Sequence, residues 1–193
     1  MHSFADLLHT ARTCRRFDES RPVPAATLRQ MVDGVRITSS CANRQPLRYI
    51  TAVSPAVRER VFPHIKWAGT LKDWDGPDKG ERPTGYILVC SAQPAGLFVY
   101  YDTAIAAQSL QLYAADLGIG CCMINNFART PVRDALDVPE GIEPMLLLAF
   151  GHPREERRLE DAKIGDSLHY WRDGQGVHHV PKLTLDQVLL AEK

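Results

Sequence analysis

Hydrophobic positions along the chain alternate between two periods, and the switches between them outline the elements. Phe4, Leu7, Leu8 and Ala11 recur at i, i+3, i+4 and i+7, the spacing of one helix face. Ser3 stands where a cap belongs, and Asp6 lies in the first turn, where a carboxylate meets the positive end of the helix dipole. A second helical pattern opens at Pro24, carries Leu28, Met31, Val32 and Val35 on one face, and runs out near Thr38. Tyr49 to Val53 then reads as a strand from its β-branched and aromatic content, and Ser54-Pro55 is a cap followed by a first-turn proline.

Gly85 to Ser91 predicts a second strand, Leu97 to Leu117 the longest helix, stopped by Gly118, and Gly120 to Ile124 a third strand. In that helix Tyr101, Ala104, Ile105, Gln108 and Leu112 share a face rich in small residues, which predicts close packing against a sheet or a partner chain. Thr130-Pro131 starts a short helix. Met145 to Phe150 reads as a strand buried on both faces and ended by Gly151-His152-Pro153. Arg154 to Arg158 is a mixed charge run expected on a solvated surface, and Thr184 with Gln187 resembles a capping box for a last helix through Leu189. The pattern amounts to about five strands and six helices without clean βαβ alternation.

One stretch escapes both periods. From Lys66 to Gly85, glycine, proline and aspartate dominate, interrupted by Trp67, Leu71 and Trp74. A connection of that length is usually functional, and its aromatic content predicts a lid or binding loop over about residues 66–84 rather than a linker.

Composition sets bounds. The 193 residues, 45% of them hydrophobic, suit a single domain with one core. Lys plus Arg and Asp plus Glu both number 23, so no global field draws the chain to nucleic acid or an anionic membrane. The start Met1-His2-Ser3-Phe4-Ala5-Asp6 has no charged segment leading into an apolar one, and no apolar run reaches membrane-spanning length; a cytoplasmic protein is the expectation. Five cysteines argue against a disulfide framework, and adjacent Cys121 and Cys122 should point to opposite faces of a strand. His178 and His179 should do the same, with no ligand spacing around them, so no metal is expected.

Candidate chemistry concentrates in two segments. Arg12-Thr13-Cys14-Arg15-Arg16-Phe17 follows the first helix; its guanidinium groups can complement the helix dipole or grip an anion. Ser39-Ser40-Cys41-Ala42-Asn43-Arg44-Gln45-Pro46 follows the second, with Pro46 biasing Gln45 toward extended backbone. Asn43 and Gln45 can read a planar ring edge bearing alternating C=O and N–H groups. Serine–histidine–carboxylate arrangements, G-x-G-x-x-G and P-loop motifs are absent.

Together these segments resemble the two signatures of the FMN-dependent nitroreductase family, roughly R-R-S-x-R-x-F and P-S-x-x-N-x-Q-P-W. Ala11, Ser39 and Leu47 depart from them, replacing an arginine, a proline and an aromatic residue. Trp67-Ala68-Gly69, Asp73-Trp74-Asp75-Gly76-Pro77, Gly80-Glu81-Arg82-Pro83, Tyr170-Trp171-Arg172-Asp173 and Val177 to Lys182 resemble segments of a short subgroup of that family.

The resemblance implies an α+β three-layer sandwich, with a mixed, mainly antiparallel central sheet flanked by helices, forming a homodimer with FMN at the subunit interface. It implies that Arg12, Thr13 and Lys182 lie near the FMN phosphate, Arg15 near the flavin N1 and C2 carbonyl, and Ser40, Asn43 and Gln45 at the flavin, Asn43 from the opposite subunit. Ile124, Asn125 and Asn126 align with the loop whose backbone approaches flavin N5, Asn126 standing where glycine is common. The arginine often found beside Lys182 is Leu183 here. No catalytic residue of the chain itself is implied, because FMN carries the redox chemistry: NADH or NADPH reduces flavin N5, and a nitroaromatic or quinone-like acceptor then takes the electrons. The alternatives are a non-enzymatic FMN-binding or redox-sensing module, and a flavoenzyme of the same fold with another reaction, such as dehalogenation, azoline oxidation or flavin fragmentation.

Overall fold

A computed structural model describes residues 3–71 and 74–193. Its centre is β3 (Gly85–Ser91), buried at every position, paired antiparallel on one side with β2 (Leu47–Ala52) and on the other with β5 (Glu143–Pro153). β4 (Gly120–Ile124) and the two-residue β1 (Phe17–Asp18) also pair antiparallel with β5, and an isolated parallel bridge joins Thr13 to Cys121. The sheet is therefore mixed and mainly antiparallel.

Alternation along the strands divides the core in two. Tyr86, Leu88, Cys90, Leu147 and Ala149 face one layer, packed with Val61, Val132 and Ala135. Ile87, Val89, Leu148 and Phe150 face the other, packed with Leu28, Met31, Ala107 and Leu110. The first layer thus contains α3 (Pro55–Val61) and α5 (Arg129–Ala135), the second α2 (Ala25–Val35) and α4 (Leu97–Asp116). Cys122 belongs to the first layer and Cys121 to the second. Burial pushes the Cys14 thiol up to about 12, Cys122 to about 11 and Cys121 well above the ordinary range, so all three stay protonated packing groups.

Local rules account for most ends. α1 (Phe4–Thr10) begins with a full capping box, the Asp6 N–H donating to Ser3 Oγ at 3.1 Å and the Ser3 N–H to Asp6 Oδ2 at 2.9 Å. α3 is capped by Ser54 ahead of Pro55.

Several elements differ from the sequence pattern. β5 runs on through Gly151-His152-Pro153, because Pro153 and His152 pair with Phe17 and Asp18. A second, three-stranded sheet in the order β6-β8-β7 follows: β6 (Arg157–Ala162), β8 (His178–Leu183) parallel to it, and β7 (Trp171–Arg172). Pro181 is tolerated in the middle strand because β7 reaches only His178 and His179. Within the charge run, Glu155 is not solvated: its side chain is 1% exposed. Thr184 caps α6 (Leu185–Val188) without a side-chain bond, and the Gln187 carboxamide instead accepts the Ile164 N–H at 3.0 Å. In α4 the sheet-facing residues include Val99, Thr103, Ala106, Ala107, Leu110 and Ala114; Tyr101, Ala104 and Gln108 turn away from the sheet to the surface. Among the described residues no helix is long and apolar enough to cross a membrane.

Candidate functional site

A bare patch on the sheet positions the first cationic segment. Gly120 and Gly151 are partners across β4 and β5. A Cβ on Gly120 would lie 2.8 Å from Cys14 Sγ, and one on Gly151 would lie 2.8 Å from Phe17 Cβ. Both distances are prohibitive, so only a glycine pair lets residues 14–17 lie flat on the strands. Cys14 and Phe17 are wholly buried there, and the Cys14 N–H donates to the Cys121 carbonyl at 2.8 Å.

Arg15 is consequently held on three sides. Its Nη1 lies 3.1 Å from His178 Nε2. Its guanidinium stacks 4.4 Å from the Tyr170 ring centroid, and its backbone N–H donates to Glu155 Oε1 at 2.5 Å. The other Glu155 oxygen accepts from Arg172 Nη2 at 2.8 Å, and the Arg172 guanidinium lies 4.9 Å from the Trp74 ring. Burial, followed by the Arg15 charge, lowers the His178 imidazole to about 4, so it is neutral near pH 7 and presents Nε2 as an acceptor to Arg15. Facing the opposite way, His179 lies between Glu160 (2.6 Å) and Asp173 (3.1 Å), which raise its pKa.

Arg12, Thr13, Arg15 and Lys182 line one cavity of about 300 Å³, with Gln108, Gln111, Tyr170 and His178. Arg12 donates to the Leu8 carbonyl at the end of α1, yet its buried Nε has no partner. Burial and the neighbouring Arg157 both lower the Arg12 pKa. Among the described residues, Arg12, Arg15, Arg157 and Lys182 have no carboxylate within ion-pairing distance. An orphaned guanidinium N–H, a threonine hydroxyl and a surplus of cations form a donor set suited to a phosphate group.

The second segment forms a separate wall. Ser40 Oγ donates to Asp102 Oδ2 at 2.6 Å, the Cys41 N–H donates to Asp102 Oδ1 at 2.7 Å, and the Gln45 N–H donates to Ser40 Oγ at 2.9 Å. Burial alone would raise the Asp102 carboxyl; the hydrogen bonds from Ser40 and Cys41 outweigh it and hold the group below its ordinary range. Gln45 is not extended, as its proline neighbour predicts, but has φ +49°, and Ala42 and Asn43 are also left-handed at +51° and +52°. The Ser40 bond and the Gln45 Nε2 bond to Asn43 Oδ1, 2.9 Å long, override the local bias. Left-handed backbone outside glycine costs on the order of 1 kcal/mol per residue and is concentrated at functional sites. Ser40 and Gln45 border a cavity of about 340 Å³ with Val35, Arg48 and Tyr49.

Within one chain the expected site residues occupy three places. Asn125 borders a third cavity, of about 390 Å³, near Tyr100 and Arg129. Asn126 is exposed, accepts the Lys66 N–H on its carbonyl at 2.9 Å and is not left-handed. The Ile124 side chain is buried in the core. In the 66–84 segment Trp67 is buried, its ring 5.9 Å from Phe62 and 6.5 Å from Trp74. The Glu81 carbonyl accepts the Phe17 N–H at 2.9 Å. Of the Asp73 to Pro77 motif, Asp73 lies outside the described residues. Sequence reading missed Asp102, Glu155, Arg157, Tyr170 and His178 as site groups, because their partners are distant in the chain; the Tyr170 to Lys182 resemblance was the available signal.

An α+β sandwich bearing a cationic cavity of about 300 Å³ and, on a separate wall, a strained polar loop defines a class, and comparison supplies the family. Residues 8–152 match the model of the nitroreductase family, and the chain belongs to that family. It is 21% identical over 170 residues to a protein of Methanothermobacter thermautotrophicus provisionally named NADH dehydrogenase/NAD(P)H nitroreductase, covering 85% of this chain and 84% of that one. Among solved structures, a nitroreductase family protein of Clostridium difficile 630 shares the fold with a TM-score of 0.61 and 23% identity, over 86% of this chain and 88% of that one. A nitroreductase with bound FMN from Bacteroides fragilis has a TM-score of 0.62 at 21% identity, over 79% of this chain and 89% of that one.

Proposed function

We propose that this nitroreductase-family chain is an FMN-dependent NAD(P)H oxidoreductase that reduces nitroaromatic or quinone-like acceptors as a homodimer. The observation that carries the reading is the cavity shared by Arg12, Thr13, Arg15 and Lys182, whose cations have no carboxylate partner among the described residues. Bound FMN supplies the two-electron chemistry between nicotinamide donor and acceptor.

The chain's own residues do the rest. Arg12, Thr13 and Lys182 hold the phosphate. Arg15, fixed by Tyr170, His178 and Glu155, places a permanent positive charge where the reduced ring becomes anionic. Neutral His178 keeps that guanidinium aimed without adding a competing charge. Asn43 and Gln45, presented on the loop that Asp102 clamps, bind the ring edge from the second subunit. Leu97, Phe98, Tyr100 and Tyr101 leave an exposed apolar face on α4 suited to that subunit contact. The 66–84 segment serves as a lid, with Trp74 resting on Arg172 and Arg172 on the Glu155 carboxylate that grips Arg15.

Steady-state oxidation of NADH or NADPH by the FMN-loaded protein, measured with nitroaromatic and quinone acceptors, tests the reading. Acceptor-dependent turnover is expected. Bound flavin with no turnover from either nucleotide would contradict it and favour a redox-sensing module.

A further inference from the structure

Beside the cationic cavity stands one further guanidinium that neither signature segment supplies. Arg157, the first residue of β6, is half-buried, and its Nη1 donates to the Arg12 carbonyl at 3.3 Å. Together with Ala11, Arg12 and Gln111 it borders a small cavity of about 70 Å³; those three residues also border the cavity of Arg15 and Lys182, so the two cavities are neighbours that share a wall.

The neighbourhood does not neutralise it. Arg157 follows two glutamates, but both are committed elsewhere: Glu155 to Arg172 at 2.8 Å and Glu156 to Arg158 at 2.8 Å. No carboxylate of the described residues lies within pairing distance of Arg157 or of Arg12. The two guanidinium groups are close enough that Arg157 lowers the Arg12 pKa. Like charges pressed together with a buried, unpartnered Nε are unfavourable in isolation and favourable around an anion. Ala11, only 4% exposed, borders the same small cavity and adds no charge to it.

We propose that Arg157 is a phosphate ligand of the cofactor, delivering from β6 the charge that Ala11 does not supply. The proposal rests on the FMN reading above and adds to it a residue from the second sheet. Its register fits the task, since Arg157 pairs across β6 and β8 with His178, the neighbour of Arg15. The site then draws cations from three places in the chain: the turn after α1, β6 and the end of β8.

The test is titration of the flavin-free protein with FMN and, separately, with riboflavin, which carries the same ring without the phosphate. The unaltered protein should bind FMN the more tightly. Arg157→Met should weaken FMN by about tenfold to hundredfold, the loss of a charged hydrogen bond, and leave riboflavin binding unchanged. Arg157→Lys, which keeps the charge but not the fork, should fall between. An unchanged FMN affinity in Arg157→Met would overturn the proposal. So would an equal loss for both ligands, which would mark a structural role. Failure of the unaltered protein to bind either flavin would overturn the FMN reading together with this one.

Discussion

Arg172 donates to Glu155 across 2.8 Å, in a pair whose carboxylate is 1% exposed and whose guanidinium is 13% exposed. The carboxylate also takes the N–H groups of Arg15 and Arg16. Removing one partner strands the other charge in a dry site. Glu155→Gln and Arg172→Met should each lower unfolding free energy by about 3 kcal/mol, and the double variant by less than their sum. Urea denaturation measures all three. Strictly additive losses would show that the pair is not coupled.

The Gly120–Gly151 contact should admit no side chain. Gly151→Ala places a methyl 2.8 Å from Phe17 Cβ. The expected cost is about 1–3 kcal/mol from overpacking, with weaker FMN binding because the arginine turn must lift. An alanine variant with unchanged melting temperature would mean that residues 14–17 do not lie against the strand.

His178 ties stability to pH. Its ordinary value is 6.5, and burial, Arg15, Arg172 and His179 bring it in the folded chain to about 4 against the opposing pull of Glu155. Between those values the unfolded chain binds more protons. The stabilising preference is therefore complete above pH 6.5 and lost as pH falls toward 4, by on the order of 3 kcal/mol. Stability against pH, compared between the unaltered protein and His178→Asn, should differ in slope within that window. Parallel curves would contradict a buried neutral imidazole.

Asp102 clamps the strained loop through Ser40 and the Cys41 N–H. Asp102→Ala should cost about 2 kcal/mol for the bonds left unmade. It should also raise amide exchange at Cys41 and Gln45 well before the sheet opens. Exchange confined to global unfolding would show that the loop holds its left-handed backbone without the carboxylate.

How much of this could be read from the residues alone follows from the range of each interaction. The Ser3 and Ser54 caps, β3, β4 and the long α4 rest on neighbours within a turn or a pleat, and their positions were legible. Gly151-His152-Pro153 looked like a stop, yet continues β5 because its partner is Phe17-Asp18, far upstream. Glu155 looked like a surface charge until Arg172 arrived from β7. Gln45 took a left-handed φ against its proline, held by Ser40 and Asn43. The two signature segments stood out by their clustered arginines and amides and by their resemblance to the family's signatures, whereas Asp102, Arg157 and His178 became visible only when helix and second sheet were laid beside them.

The most direct test of the account is the visible absorption spectrum of the purified protein incubated with FMN and freed of excess, recorded without air before and after addition of NADH or NADPH. The account predicts a bound-flavin spectrum that bleaches on addition of one or both nucleotides. A protein that retains no flavin would contradict the cavity as a cofactor site, and a retained flavin that neither nucleotide bleaches would contradict the oxidoreductase.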